Sequence, residues 1–378
     1  MDAVMPLRAP VSATRRQLFP CFSMSVPGHD VAATGRPGLT IRNWANTFSC
    51  RPELYFEPKD VEEVREIVLL AKANGKKVRV FGKGHSPSDL SFTNDYLISL
   101  TNLNHVLAVN EESARVKVET GITIAKLNQE LSRNNLALSV LGSVSDLTLG
   151  GVISTATHGS GIRYQVMSGY VREVELITSS GDLLKCSSED KADVFYSCLC
   201  GLGSLGVLIN VTIQCEPAFS LHELQFPATL DQVLDDLDDH LQQSDHFRFL
   251  WFPHTDQVSL SHVSRVRGPA PRKPFSLTRP LISWFWKYAV GYYALEFAYW
   301  VSIFLPKVTP WINRTWFYLQ YSKPCERIDE SYNVFNFECL FRQHVYEWSI
   351  PKYVFHSYCL LSATEVTYFP AGRRLRSC

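Results

Sequence analysis

Two segments of this chain set glycine, hydroxyl and imidazole groups at spacings that could hold a phosphate. The first is Gly82-Lys83-Gly84-His85-Ser86-Pro87-Ser88-Asp89, which follows the apolar run Val78 to Phe81. Gly82 and Gly84 carry no Cβ and can take positive φ, so successive amide N–H groups can converge on an anion with His85 beside it. The same residues also fit an ordinary turn whose histidine hydrogen-bonds to its neighbours. The second segment runs from Gly142 through Ser145, Asp146, Thr148, Gly150, Gly151 and Thr155 to His158 and Gly159. Its glycine, serine and threonine positions put nothing bulky where backbone would approach a phosphate. A third stretch sets Gly203 and Gly206 ahead of Val207 and an apolar run. It reads either as a ligand-lining turn or as a tight turn before a buried strand.

Other chemistries are disfavoured. No dinucleotide fingerprint with its distant acidic residue occurs, which argues against a nicotinamide cofactor. The ten cysteines have neither CxxC nor histidine-paired spacing, so no metal is expected. Their scatter fits buried or free thiols better than a disulfide framework. Asp235-Asp236 and Asp238-Asp239 resemble a carboxylate cluster, but on a helical wheel they face solvent. With 37 basic and 37 acidic residues the chain lacks the basic face that nucleic acid requires. Asn210-Val-Thr and Asn313-Arg-Thr are glycosylation sequons, the first inside an apolar strand-like run.

The elements that must position these loops are legible from periodicity. Leu54 to Phe56 reads as a strand. Asp60 then caps a helix with Val61, Val64, Val68 and Ala71 on one face and Gly75 as its stop. Val78 to Phe81 is the strand that delivers the first loop. Val106–Val109 and Val116–Val118 read as strands, followed by a helix from Thr123 with Ile124, Leu127 and Leu131 inward. Glu173 to Thr178, a Ser-Ser-Gly-Asp turn and Leu183 to Cys186 form a hairpin. Beyond a change of domain at Pro217–Leu221, Leu230 to Leu241 is expected as one amphipathic helix, and Phe247–Phe252 with Val258–Val263 as another hairpin.

Taken together, the glycine loops resemble the FAD domain of the vanillyl-alcohol-oxidase/p-cresol-methylhydroxylase superfamily, and among its members the aldonolactone oxidases. The likeness covers roughly residues 41 to 353. Its most specific elements are Gly82 to Asp89, Ser145 to Val152, Phe249-Leu-Trp-Phe-Pro-His254 and Trp311-Ile-Asn-Arg314. The resemblance implies an α+β fold: a two-subdomain p-cresol-methylhydroxylase-type FAD-binding domain over 41–216 and a partial α+β cap over 217–360. Residues 1–40 would form an extension and 361–378 a divergent tail. It further implies FAD joined covalently to His85, cradled by Gly82, Lys83, Gly84, Ser86, Pro87, Ser145, Asp146, Thr148, Gly150, Gly151, Thr155, His158, Gly203, Gly206 and Val207. The implied reaction is oxidation of an aldono-1,4-lactone by O2, releasing hydrogen peroxide, in ascorbate biosynthesis. Family members carry a Glu-x-Arg strand and a His-Trp-x-Lys element late in the chain. Here Glu365-Val-Thr lacks the arginine and the residues after Arg373 depart from the pattern, so no catalytic residue is assigned. The departure leaves two expectations open: a slow oxidase that holds FAD poorly, or a silent flavin-binding protein.

Residues 280–319 are dense in Trp and Tyr, the composition of a membrane interface. Tyr288 to Leu305 is barely long enough to span, and Glu296 sits near its centre. An in-plane helix, a single crossing and a buried helix pair of the cap all fit. The resemblance adds lipid as a partner and the endoplasmic reticulum membrane as the location. The Arg-rich, acid-poor first forty residues fit a disordered extension, a targeting peptide, or sequence upstream of a start near Met24.

Overall fold

The computed structural model describes residues 31–266, 284–337 and 344–351, with Ile282, Arg342 and Val354. The expectations for residues 1–30, for Glu365 and for the tail fall outside the described residues, as does the start of the aromatic region at Pro280.

The helix Val61–Ala73 forms as its sequence dictates. Asp60 Oδ1 accepts from Glu63 N at 2.9 Å, and Val64, Ile67, Val68 and Ala71 are buried. Gly75, at φ +64, ends it as Lys76 N donates back to Ala71 O at 2.8 Å. This helix covers a parallel sheet ordered Leu54–Phe56, Tyr96–Ser99, Val78–Phe81. A five-stranded antiparallel sheet follows, ordered Leu183–Ser187, Val171–Ile177, Val207–Gln214, Arg115–Glu119, Val106–Asn110. Helices Ile124–Arg133, Leu149–Ser154 and Ala192–Cys198 contribute buried residues to the core beside it.

The strand Val207–Gln214 joins two cores. Every second residue is buried, and Val207 and Ile209 pack with the parallel sheet and its helix, while Val211 and Ile213 pack with the larger core. A period-two strand can serve two hydrophobic masses in succession only if they adjoin along its length. The glycine loops gather at that join.

The region expected to form the cap holds a four-stranded antiparallel sheet ordered His246–Trp251, Gln257–Val266, Ser220–Thr229, Cys325–Glu330. Val233 and Leu234 bury against Val258 and Leu260, and Leu221 and Val263 join the larger core. The single helix expected over Leu230–Leu241 is instead two, Leu230–Asp235 and Leu237–Gln243, broken at Asp236. The four aspartates are all exposed, as their place on the wheel requires.

The aromatic region is a π-helical stretch, Phe285–Ala294, running into an α-helix, Leu295–Phe304, with Pro306 turning the chain before Thr309–Tyr321. Among the described residues no helix is long and apolar enough to cross a membrane. Trp284, Trp286, Tyr293, Phe297, Trp300, Phe304, Trp311 and Tyr318 all point outward, so the buried-pair reading does not describe them. Asn313 is buried: its Nδ2 donates to Pro253 O at 2.7 Å and its Oδ1 accepts from Tyr299 Oη at 2.6 Å. That sequon is therefore occupied by packing.

Candidate functional site

The strand Val78–Phe81 ends directly in the first loop, whose conformation is held from outside by Asn43 and Trp44. Trp44 N donates to Gly84 O at 2.7 Å, and Asn43 Nδ2 donates to Ser86 O at 3.1 Å. The Trp44 ring stacks on His85 with centroids 5.6 Å apart and planes at 22°. Gly84 takes φ +71, with the Phe81 ring beside it where a Cβ would stand. These contacts leave the His85 side chain 14 % exposed, oriented yet accessible.

The second loop meets the first. A Cβ on Gly82 would collide with Thr148 Oγ1. Asp146 lies 3.7 Å from both Lys83 Nζ and His85 Nε2. Thr148 precedes the helix Leu149–Ser154, whose first amides are already used: Leu149 N donates to Ile122 O at 2.9 Å and Gly150 N to Thr120 O at 2.8 Å. Ser145 O accepts from Ala125 N at 2.9 Å, so the helix Ile124–Arg133 anchors the loop's near end. Gly150 packs so closely on Thr120 that a Cβ would come within 3.0 Å, whereas Gly151 lies on the exposed side. Thr155 Oγ1 closes the helix on Gly151 O at 2.9 Å.

The third glycine turn docks on that helix end. Cys200 N donates to Ile153 O and Leu202 N to Ser154 O, and Arg79 reaches Leu202 O at 3.3 Å from the strand that leads to His85. Gly203 (φ +71) faces open space, and Gly206 (φ +151) sits against Ile177 O with no room for a side chain. Val207 then enters its strand. The residues singled out by sequence thus gather in one cluster, His158 excepted, with Pro87 at its exposed rim. Its surface carries glycines, hydroxyl groups, a reachable imidazole and the Lys83 ammonium. No group there is assigned as the base that would take a proton from substrate.

His158 stands at the far end of the second loop, where Gly142 packs on Thr157. Its Nδ1 is 3.0 Å from Gly159 O and its Nε2 is 2.5 Å from Glu347 Oε1. The Gly159 carbonyl, opposed by burial and helped by Glu347, raises the imidazole's pKa. Just beyond, His246 of the cap sheet is buried, stacks on Tyr164 at 4.4 Å and places Nδ1 2.8 Å from Ser160 O. Burial, against that hydrogen bond, holds His246 below the ordinary histidine range. Sequence reading missed Asn43, Trp44, His246 and Glu347, because a residue distant in the chain leaves no periodic signal.

The cap sheet also holds a carboxylate, Glu223, with Oε1 2.7 Å from Arg248 and from Ser261, and Oε2 2.6 Å from Arg327. Burial pushes its pKa up, but the Ser261 hydroxyl and the two guanidiniums outweigh that and hold it below the usual carboxylate range. A separate groove of about 520 Å³, lined by Ser168, Arg172, Phe195 and Tyr196, opens at the Val171 end of its strand. Val207 pairs with Ile177 at the other end, so the glycine loops do not form that groove.

Residues 52–187 match the model of an FAD-binding domain, and residues 211–359 that of D-arabinono-1,4-lactone oxidase. The chain is 49 % identical over 317 residues to L-gulonolactone oxidase of Scyliorhinus torazame, covering 84 % of this chain and 70 % of the relative. It is 45 % identical over 318 residues to that of Bos taurus, with the same coverage. Against D-arabinono-1,4-lactone oxidase of Candida albicans it is 35 % identical over 347 residues, 85 % of this chain and 61 % of that one. Among solved structures, a solvent-stable cholesterol oxidase superposes with a TM-score of 0.61 at 20 % identity, over 78 % of this chain and 61 % of the other. That last likeness concerns fold alone.

Proposed function

Because this chain belongs to the D-arabinono-1,4-lactone oxidase family of FAD-binding proteins, we infer that it oxidises aldono-1,4-lactones with O2, L-gulono-1,4-lactone among them, releasing hydrogen peroxide and supplying ascorbate biosynthesis. The observation that carries this reading is the meeting of Gly82 with Thr148 while His85 faces Asp146, two glycine loops brought together at the join of two cores. The chemistry bound FAD would supply there is that of a hydride acceptor for which O2 is the final oxidant.

The chain's own residues bind and orient. Gly151 and Gly203, on open faces, would let backbone approach the cofactor; Gly82, Gly84, Gly150 and Gly206 let the loops pack on Thr148, Phe81, Thr120 and Ile177, and Ser86, Pro87, Ser145, Thr148, Thr155 and Val207 bound the cradle. Lys83 brings a positive charge for the diphosphate. Trp44 and Asp146 hold the His85 ring in one orientation, which supports His85 as the covalent attachment point for the flavin. Residues 41–216 are the FAD-binding domain in this reading and 217–360 the substrate cap. The cap sheet and the segment 344–351 lie against the second loop, where they would limit water's access to the lactone.

The outward Trp and Tyr rings of residues 284–319 support a further part of the reading, that these helices lie in a lipid interface; its placement at the endoplasmic reticulum rests on the family resemblance alone. Amphipathic rings are favoured at the boundary between headgroup and hydrocarbon, and an in-plane arrangement needs no spanning helix.

The function is tested by adding L-gulono-1,4-lactone to the purified, FAD-loaded chain and following O2 uptake with peroxide release. Lactone-dependent peroxide that His85→Ala reduces supports the reading. A chain that binds FAD yet releases no peroxide with any aldonolactone would leave it a flavin-binding protein without this activity.

A further inference from the structure

His158 sits between two obligate acceptors. Its Nδ1 lies 3.0 Å from the Gly159 carbonyl oxygen and its Nε2 lies 2.5 Å from a Glu347 carboxylate oxygen. A neutral imidazole has one N–H and one lone pair, so one of these contacts would set lone pair against lone pair. Both are satisfied together only when the ring carries a proton on each nitrogen, which the carboxylate then stabilises as an ion pair. Among the described residues Glu347 is the charged group that acts on this ring.

The segment that brings Glu347 is held at a second point of the same loop. Phe337 N donates to Ser143 O at 3.1 Å, and the Arg248 guanidinium lies over the Phe337 ring at 3.9 Å. Phe337 and Glu347 therefore touch the two limbs of the second glycine loop, at Ser143 and His158. On the other side, His246 bonds to the Ser160 carbonyl. The loop on either side of His158 is thus held by the cap sheet at Ser160 and by Phe337 at Ser143, while Glu347 holds His158 itself.

We propose that Glu347 is a positioning residue, holding His158 in one ring orientation and doubly protonated, so that this ion pair fixes the far limb of the second glycine loop in the conformation that receives the cofactor. The proposal rests on the reading of this loop cluster as the FAD site. Its core claim concerns the two side chains themselves. The pairing reaches across the chain between groups 189 residues apart, so the cap region sets the charge on a loop of the FAD-binding domain.

The test is the titration of His158 in the full-length chain, read by NMR of 13C-labelled histidine rings and assigned with His158→Gln. The wild-type ring is expected to titrate above the ordinary histidine value, and in Glu347→Gln to titrate lower. Glu347→Asp, whose shorter side chain keeps the charge, should fall between. The second readout is the pH at which bound FAD is lost: it should move down in Glu347→Gln, with FAD retention at neutral pH weakened about two- to fivefold, the scale of an exposed ion pair. Identical His158 titration in wild type, Glu347→Asp and Glu347→Gln would overturn the proposal, as would an unmoved FAD-release profile beside a lowered titration. Should the wild-type chain take up no FAD, the FAD-site reading fails while the His158 titration still decides whether Glu347 holds the ring charged.

Discussion

Asp146 Oδ2 lies 3.7 Å from His85 Nε2, so the carboxylate of one glycine loop faces the imidazole of the other. The separation exceeds a hydrogen bond, and the ring's other face is covered by Trp44. His85 is therefore oriented by stacking and by a nearby charge while its nitrogen stays available for a bond to carbon.

Covalent flavin on His85 is the first prediction. Acid-denatured protein on a gel should fluoresce at the mass of the chain, and His85→Ala should abolish that signal. Trp44→Ala, which removes the stacking partner alone, should slow flavin attachment and leave its final extent intact. Colour that washes out wholly in acid would show His85 to be only a neighbour of the cofactor.

Gly82→Ala should hurt both folding and cofactor uptake. The added methyl must displace the buried Thr148, at a cost of about 1 to 3 kcal/mol. Denaturant midpoints measure the first effect and flavin absorbance the second. Gly203→Ala faces open space within the protein, so its folding cost is that of a positive φ, and a larger loss of stability there than at Gly82 would contradict the packing of Gly82 on Thr148.

Acid sensitivity should trace to Glu223. Its folded pKa lies below the unfolded value, so its ion pairs stabilise fully above the ordinary carboxylate range and are lost as pH falls through the folded value. Urea unfolding of wild type should weaken across that acid window, and Glu223→Gln should flatten this part of the profile. Near neutral pH the substitution leaves the largely buried Arg248 without its counter-charge, Arg327 being exposed enough to be solvated, and should cost about 1 to 3 kcal/mol. Parallel acid limbs in the two proteins would rule Glu223 out as the source.

Lipid binding should follow the outward aromatic face. Trp fluorescence is expected to shift blue on addition of phosphatidylcholine/phosphatidylserine vesicles, and the chain to sediment with them. Trp300→Ser together with Phe304→Ser, both more than half exposed in water, should weaken sedimentation without unfolding the protein. Undiminished binding by that double variant would place the contact elsewhere.

Local order was legible in the sequence where one short segment fixes its own geometry. Asp60 and Gly75 bound their helix, and the Gly181 turn at φ +83 closes its hairpin, because a cap or a positive φ is a property of a few adjacent residues. The break at Asp236 was hidden by apolar periodicity. Asp235 and Asp236 sit where a helix end is already negative, while Asp238 and Asp239 favour the start of a new one. The glycine loops were readable as loops, and the family likeness supplied their cofactor. What holds them was not: Trp44 on His85 and Glu347 on His158 are meetings of distant residues that no spacing encodes.

The pairing of Arg115–Glu119 with Val207–Gln214 bears on how the protein assembles. Thr120 Oγ1 reaches Leu208 O at 2.6 Å across 88 residues of chain, and that span contains the entire second glycine loop. Closing so long a loop costs entropy before any strand contact repays it, which slows folds of high contact order. The second glycine loop is positioned only once this ring shuts, so free FAD present during refolding should raise the yield of native chain by trapping the closed ring.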